Sequence, residues 1–226
     1  MGIPQHYAVE LPRRCLRLID ALMPEVAGVR MEGDEAGPLT TSFLVAMSTP
    51  IITLPIERVE RHRGKEIEGF IDERHLSPET AAAVDDELGG KPLRQSALFE
   101  PGVWRQAVLP YAPGLNLVRN FPQRLVDDLN DESALSRADQ MPAAQWATCL
   151  RNALSHGGVF YLNEAGHPAE GEPVHHISFV STKLSPDRRT IESLLALRIA
   201  RAQFLPFLRG WVNWLERAGL MRALAA

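Results

Sequence analysis

The sequence predicts a mostly α-helical fold that carries one small β-hairpin late in the chain. Three observations lead there. Leu11, Cys15, Leu18, Ile19 and Leu22 recur on one helical face. The run from Phe43 to Ile56 is almost wholly apolar, the texture of a buried helix. After Gly157-Gly158, Val159-Phe160-Tyr161-Leu162 and His176-Ile177-Ser178-Phe179-Val180 are short β-like runs separated by a Gly/Pro/Asn/Glu-rich stretch, which reads as a hairpin over about 158–182.

The elements follow in order. A helix over 11–26 ends in a polar turn from Gly28 to Pro38. Residues 39–63 read as a long helix, apolar in its first half and charged in its second, distorted by Pro50 and Pro55. Residues 64–76 are charged and loop-like. Ser77-Pro78 opens a short helix through Leu88, serine as N-cap and proline at the first helical position, and Gly89-Gly90 ends it. Residues 93–122 read as helix interrupted by Pro101, Pro110 and Pro113, with another short helix after Pro122. Pro142 starts the next helix and Gly157 stops it. After the hairpin, Ser185-Pro186 caps a long final helix holding Leu194, Leu195, Phe204, Phe207, Leu208, Trp211 and Leu215, kinked at Pro206. There is no repeat and no domain boundary, so 1–226 reads as one domain.

Composition bounds the function. A chain of 226 residues with 45% hydrophobic content affords a core of useful size. The formal charge of −4 argues against a strongly basic nucleic-acid binder, yet it hides an asymmetry. Residues 187–226 hold seven arginines against Asp187, Glu192 and Glu216, a local charge of +4 that leaves −8 for the rest. That basic end either attracts phosphates or is a solvated helix face. Cys15 and Cys149 have no paired spacing, which points to buried thiols and a reducing compartment. No secretory signal or membrane span is legible, so the expected location is cytoplasmic.

The chemistry gathers in Arg151-Asn152-Ala153-Leu154-Ser155-His156, at the end of one helix and just before Gly157-Gly158. Arginine clamps phosphates and histidine moves protons near neutral pH. At 100° per residue, Trp146, Leu150 and Ala153 centre an apolar stripe, with Arg151 on one flank and His156 on the other. Asn152 lies one turn before His156, placed to hydrogen-bond the imidazole. Arg151 and His156 diverge, so two copies packed about a symmetry axis along the stripe would gather both pairs in one cleft. The bland reading is that basic residues near a helix C-terminus simply complement its dipole.

This motif resembles that of the HEPN superfamily of helical ribonucleases and toxins: an arginine, a polar residue after it, and a histidine four to six residues beyond the arginine. Phe43-Leu44-Val45-Ala46-Met47, Leu54-Pro55-Ile56-Glu57-Arg58, Val108-Leu109-Pro110-Tyr111 and Arg119-Asn120-Phe121, with the motif itself, resemble a plasmid-associated branch of that superfamily. The resemblance implies a bundle of four or more helices, a homodimer with facing motif helices, and metal-independent RNA cleavage. His156 would activate the ribose 2′-hydroxyl and Arg151 would hold the phosphate, leaving a 2′,3′-cyclic phosphate. It also implies a toxin or defence effector, with a nucleotidyltransferase-like antitoxin as partner. Some members are non-catalytic scaffolds, so a dimeric module binding RNA, a nucleotide or a protein is the alternative. The chain is longer than a minimal domain of this kind, and the hairpin after His156 is placed to cover or reshape the cleft.

Other candidates are weaker. Glu57 follows the apolar half of its helix and could orient Arg151 or His156 by charge, or be part of a solvated face with Arg58, Glu60 and Arg61. Arg119 and Asn120 could line the same cleft for RNA, or cap a helix end before Pro122. His167, His175 and His176 cluster near the hairpin, but adjacent strand residues point to opposite faces, so no metal is expected. Trp211 and Trp214 suggest base stacking less than core. Gly89-Gly90-Lys91 lacks phosphate-loop spacing, no Ser–His–acid arrangement stands out, and no cofactor is expected.

Overall fold

The run Leu194-Leu195-Ala196-Leu197, expected inside the final helix, is the middle of a β-strand, and this corrects the fold class. The structure, a computed structural model, describes residues 7–31, 37–63, 82, 86–119, 121–185 and 190–217. In chain order these form α1 (Tyr7–Val26), α2 (Thr40–Arg63), a 3-10 turn (Leu93–Gln95), β1 (Trp104–Pro110), α3 (Gln123–Asn130), α4 (Ser133–Gln140), α5 (Ala143–His156), β2 (Val159–Leu162), β3 (His176–Leu184), β4 (Ile191–Ala200) and α6 (Arg201–Arg217). The chain is therefore an α/β protein built on a four-stranded antiparallel sheet of order β1-β4-β3-β2, not a helical bundle.

The expected hairpin is present, with β2 and β3 paired from Val159↔Phe179 to Leu162↔His176. It is part of something larger. β4 turns back along β3, and β1 pairs with β4 from Trp104↔Ile199 to Pro110↔Ser193. The segment 93–122, expected to be interrupted helix, thus supplies an edge strand. Ser77-Pro78, Pro186 and Asn120 lie outside the described residues.

Both sheet faces are covered. On one, Trp104, Ile177, Phe179, Leu195, Leu197 and Ile199 pack with apolar residues of α1, α2, α5 and α6. On the other, Ala107, Leu109, Val180, Leu194 and Ala196 pack with Leu125 and Leu129 of α3. Central strand β4 is buried on both sides from Ser193 to Ile199, so its sequence shows no alternation. A strand covered on both faces reads as a continuous apolar run, and such a run looks like a buried helix.

Arginines close two exposed ends of backbone. Arg137 Nε donates to the Gln106 carbonyl on edge strand β1 at 3.0 Å, and its Nη2 donates to Asp128 O at 2.6 Å. Arg105 Nη1 donates to the carbonyls of Leu129, Asn130 and Asp131 at 3.0–3.3 Å. Arg198 donates to Leu129 O at 2.9 Å and to Asn130 Oδ1 at 2.7 Å. Three guanidinium groups therefore gather at the C-terminal end of α3, where unpaired carbonyls carry partial negative charge.

Candidate functional site

α5 carries the motif and lies against the sheet. Its C-cap Gly157 adopts a left-handed φ of 73°, and Gly158 N donates to Ala153 O at 2.8 Å. Gly158 has a second reason to be glycine: a Cβ there would run into the Val180 carbonyl oxygen. Val180 N donates to Gly158 O at 2.7 Å. These contacts fix where α5 ends and β2 begins, and hence where His156 sits.

The apolar stripe is as read from the sequence: Trp146, Leu150 and Ala153 are fully buried, and Ala147 and Cys149 nearly so. Its partner is different from the one expected. Cys149 Sγ lies 3.7 Å from Phe179 O and 3.6 Å from Leu195 O, on the sheet. Trp146 packs in the core, its ring centroid 5.6 Å from that of Trp104, 5.7 Å from Phe207 and 6.1 Å from Trp211. The stripe is consumed within the chain, so it is not a seam for a second copy. Burial pushes the Cys149 thiol up to about 12, which leaves it inert at neutral pH. Cys15 is also a buried free thiol.

Away from the sheet, Thr148, Arg151 and Asn152 are half-buried, while Ser155 and His156 are exposed. Helical geometry sets Arg151 and His156 roughly 140° apart, on either side of the Thr148–Ser155 line. They therefore lie on opposite flanks of α5 with Ser155 between them, Arg151 half-buried and His156 exposed. The Nε of Arg151 is buried. Among the described residues no hydrogen bond joins Asn152 to His156.

The other residues singled out in the sequence lie on different elements. Glu57 is half-buried on α2, the helix packed beside α5. Arg119 is exposed in a turn whose backbone N–H donates to Asn116 Oδ1 at 3.2 Å. Its neighbours Leu117 and Phe121 pack on the sheet face opposite α5, with Phe121 against Phe160 at 5.4 Å. The sheet thus stands between Arg119 and the motif. Trp211 and Trp214 are core residues, 0% and 5% exposed, and not stacking platforms.

His176 faces the same side of the sheet as Arg198, and His175 is exposed beside it. Among the described residues no group of three or more His, Cys, Asp or Glu is placed to hold a metal ion. Burial, then the cations of Arg198, His175 and Arg105, hold the His176 pKa below its ordinary value, against a hydrogen bond to the Glu164 backbone. Burial and Arg105 bring Arg198 down to about 10, so it stays charged at neutral pH. Sequence reading missed this arginine cluster. Arg105 and Arg198 are distant in the chain and meet only through the β1–β4 register.

A second anchor ties the start of α2 to the end of the sheet. Arg201 donates through Nε to Thr41 Oγ1 at 3.2 Å and through Nη2 to Thr40 Oγ1 at 2.5 Å. Tyr161 OH donates to Ser42 Oγ at 3.3 Å.

No family model, no curated protein and no solved structure matches this chain. Among the described residues no helix is long and apolar enough to cross a membrane.

Proposed function

We propose that this protein is a metal-independent endoribonuclease that works on the outer half of α5. One observation carries the reading: His156 is exposed in the last turn of a helix that also holds half-buried Arg151 and Asn152 and whose apolar face is locked to the sheet. A rigid helix holds such groups more precisely than a loop does. His156 takes the proton from a ribose 2′-hydroxyl, and the resulting oxyanion attacks the adjacent phosphorus. The P–O bond to the 5′-oxygen breaks, that oxygen takes a proton from water, His156 returns its own proton to solvent, and the products are a 2′,3′-cyclic phosphate and a 5′-hydroxyl. Arg151 holds the phosphate and offsets the charge that builds on it. Acid–base help contributes factors of about 100 or more, as does charge stabilisation. The two buried free thiols support a reducing, cytoplasmic setting. A toxin or defence role, with a nucleotidyltransferase-like antitoxin as partner, rests on the motif resemblance alone.

The roughly 140° divergence of Arg151 and His156 favours a second reading, a non-catalytic module that binds RNA through the same face. Purified protein and radiolabelled RNA in excess EDTA separate the two. Cleavage supports the nuclease. Intact RNA with binding that weakens as salt rises selects the binding module. Intact RNA with no binding removes both.

A further inference from the structure

Positive charge collects at one end of the sheet, on the face opposite α5. Arg105 of β1 lies directly across from Arg198 of β4, and Arg198 across from Ser178 of β3. His176 stands two residues before Ser178 and so shares that face. Like charges opposite each other across strands repel, and this pair calls for a counter-charge.

The chain supplies part of it. Arg105 Nη1 donates to the carbonyls of Leu129, Asn130 and Asp131, and Arg198 donates to Leu129 O and Asn130 Oδ1. Among the described residues Arg105 Nε and Nη2 make no hydrogen bond, and the buried Nε of Arg198 has no acceptor. No carboxylate among them forms an ion pair with either arginine. Asp131 is near, but it is exposed, accepts from Ser133 N at 2.9 Å and lies 4.0 Å from Arg137. Glu164 meets His176 through its backbone. The charges that act on His176 are those of Arg198, His175 and Arg105, all cations.

The cluster is held in place. Arg198 is 4% exposed and forms a floor, with Arg105 and His176, both partly exposed, beside it. Asn130 Oδ1 accepts from Arg198 at 2.7 Å, while its Nδ2 donates to Ala165 O at 2.9 Å. Gly166 then brings loop backbone onto the guanidinium, since a Cβ there would fall 2.9 Å from Arg198 Nη1. A buried arginine fixed in this way loses little freedom when a ligand arrives.

We propose that Arg105, Arg198 and His176 form a binding site for a phosphate dianion. Two fixed positive charges match its two negative ones, and guanidinium forks suit its oxygens. A carboxylate carries one charge and would leave half of the excess in place. The site lies across the sheet from Arg151 and His156, so it stands or falls independently of RNA cleavage.

NMR of the His176 ring in the full chain tests this, with inorganic phosphate titrated against chloride at equal ionic strength. The expected result is a saturable shift with a Kd of about 1 mM and a His176 pKa that rises on binding. Arg105→Met should weaken binding at least about tenfold, and Arg105→Lys, which keeps the charge, should weaken it less. Arg105 also caps α3, so the rise in Tm that phosphate produces is compared as well, whatever the starting Tm of each variant. Adenosine 5′-monophosphate distinguishes the sources. Tighter binding at His176 than inorganic phosphate identifies an esterified phosphate as the ligand, and equal or weaker binding a free one. A His176 signal that neither compound moves, a response that does not saturate, or a shift untouched by Arg105→Met overturns the proposal.

Discussion

Trp211 Nε1 donates a hydrogen bond to the carbonyl of Ile51 at 2.9 Å, and Pro55 is the reason that carbonyl is open. In a regular helix the N–H of residue 55 would serve Ile51, but proline has none. A tryptophan more than 150 positions along the chain fills the gap and ties α6 to α2. Trp211→Phe should cost about 1–3 kcal/mol for the orphaned carbonyl, beyond any loss of packing. Pro55→Ala returns a donor to Ile51. The double variant should therefore be more stable than the two single effects summed, with a coupling of about 1 kcal/mol in denaturant melts. Strict additivity would show that the hydrogen bond is incidental.

Gly158 offers a local test of how the motif helix is seated. An alanine there must push its Cβ into the Val180 carbonyl, displacing the start of β2. The expected cost is about 1–3 kcal/mol, read as a fall of several degrees in Tm. Gly157→Asn should be far milder, since asparagine tolerates the left-handed conformation that Gly157 adopts.

His176 and Arg198 predict a pH dependence. The folded-state pKa of His176 lies below its ordinary 6.5, so the unfolded chain takes up the proton first on acidification. Stability should fall as the pH drops below about 6.5 and continue to fall until the folded-state pKa is reached. His176→Asn should flatten the Tm profile between about pH 7 and 5. Removing the neighbouring cation with Arg198→Met should raise the His176 pKa in an NMR titration, although burial, the larger cause, remains. The same variant should cost about 1.5–3 kcal/mol, because Asn130 Oδ1 and Leu129 O each lose a charged donor while Arg105 still serves Leu129 O. A His176 titration unmoved by Arg198→Met would refute the electrostatic coupling.

The motif helix was legible because its signals were local. Pro142, the Trp146–Leu150–Ala153 stripe and Gly157 fix the start, the buried face and the end of α5 from neighbouring residues alone. β2 and β3 were legible for the same reason, being short, β-rich and close in sequence. β4 was not, because burial on both faces erased its alternation and its leucines and alanine also suit a helix. β1 was obscured by Pro101, Pro110 and Pro113, which read as interruptions of a helix, while its pairing partner lies about 90 residues later. The dimer seam along the α5 stripe failed on this same point. A helix shows that it has an apolar face, but not whether a sheet or a second copy covers it.

End-group analysis of RNA incubated with the protein in excess EDTA tests the central claim most directly. The account predicts 2′,3′-cyclic phosphate ends, a rate unchanged by chelation, and a loss of at least about 100-fold in His156→Ala with RNA affinity retained. Arg151→Ala should weaken binding and turnover together. Cleavage that survives His156→Ala, that needs a divalent metal, or that leaves 3′-hydroxyl ends would contradict it.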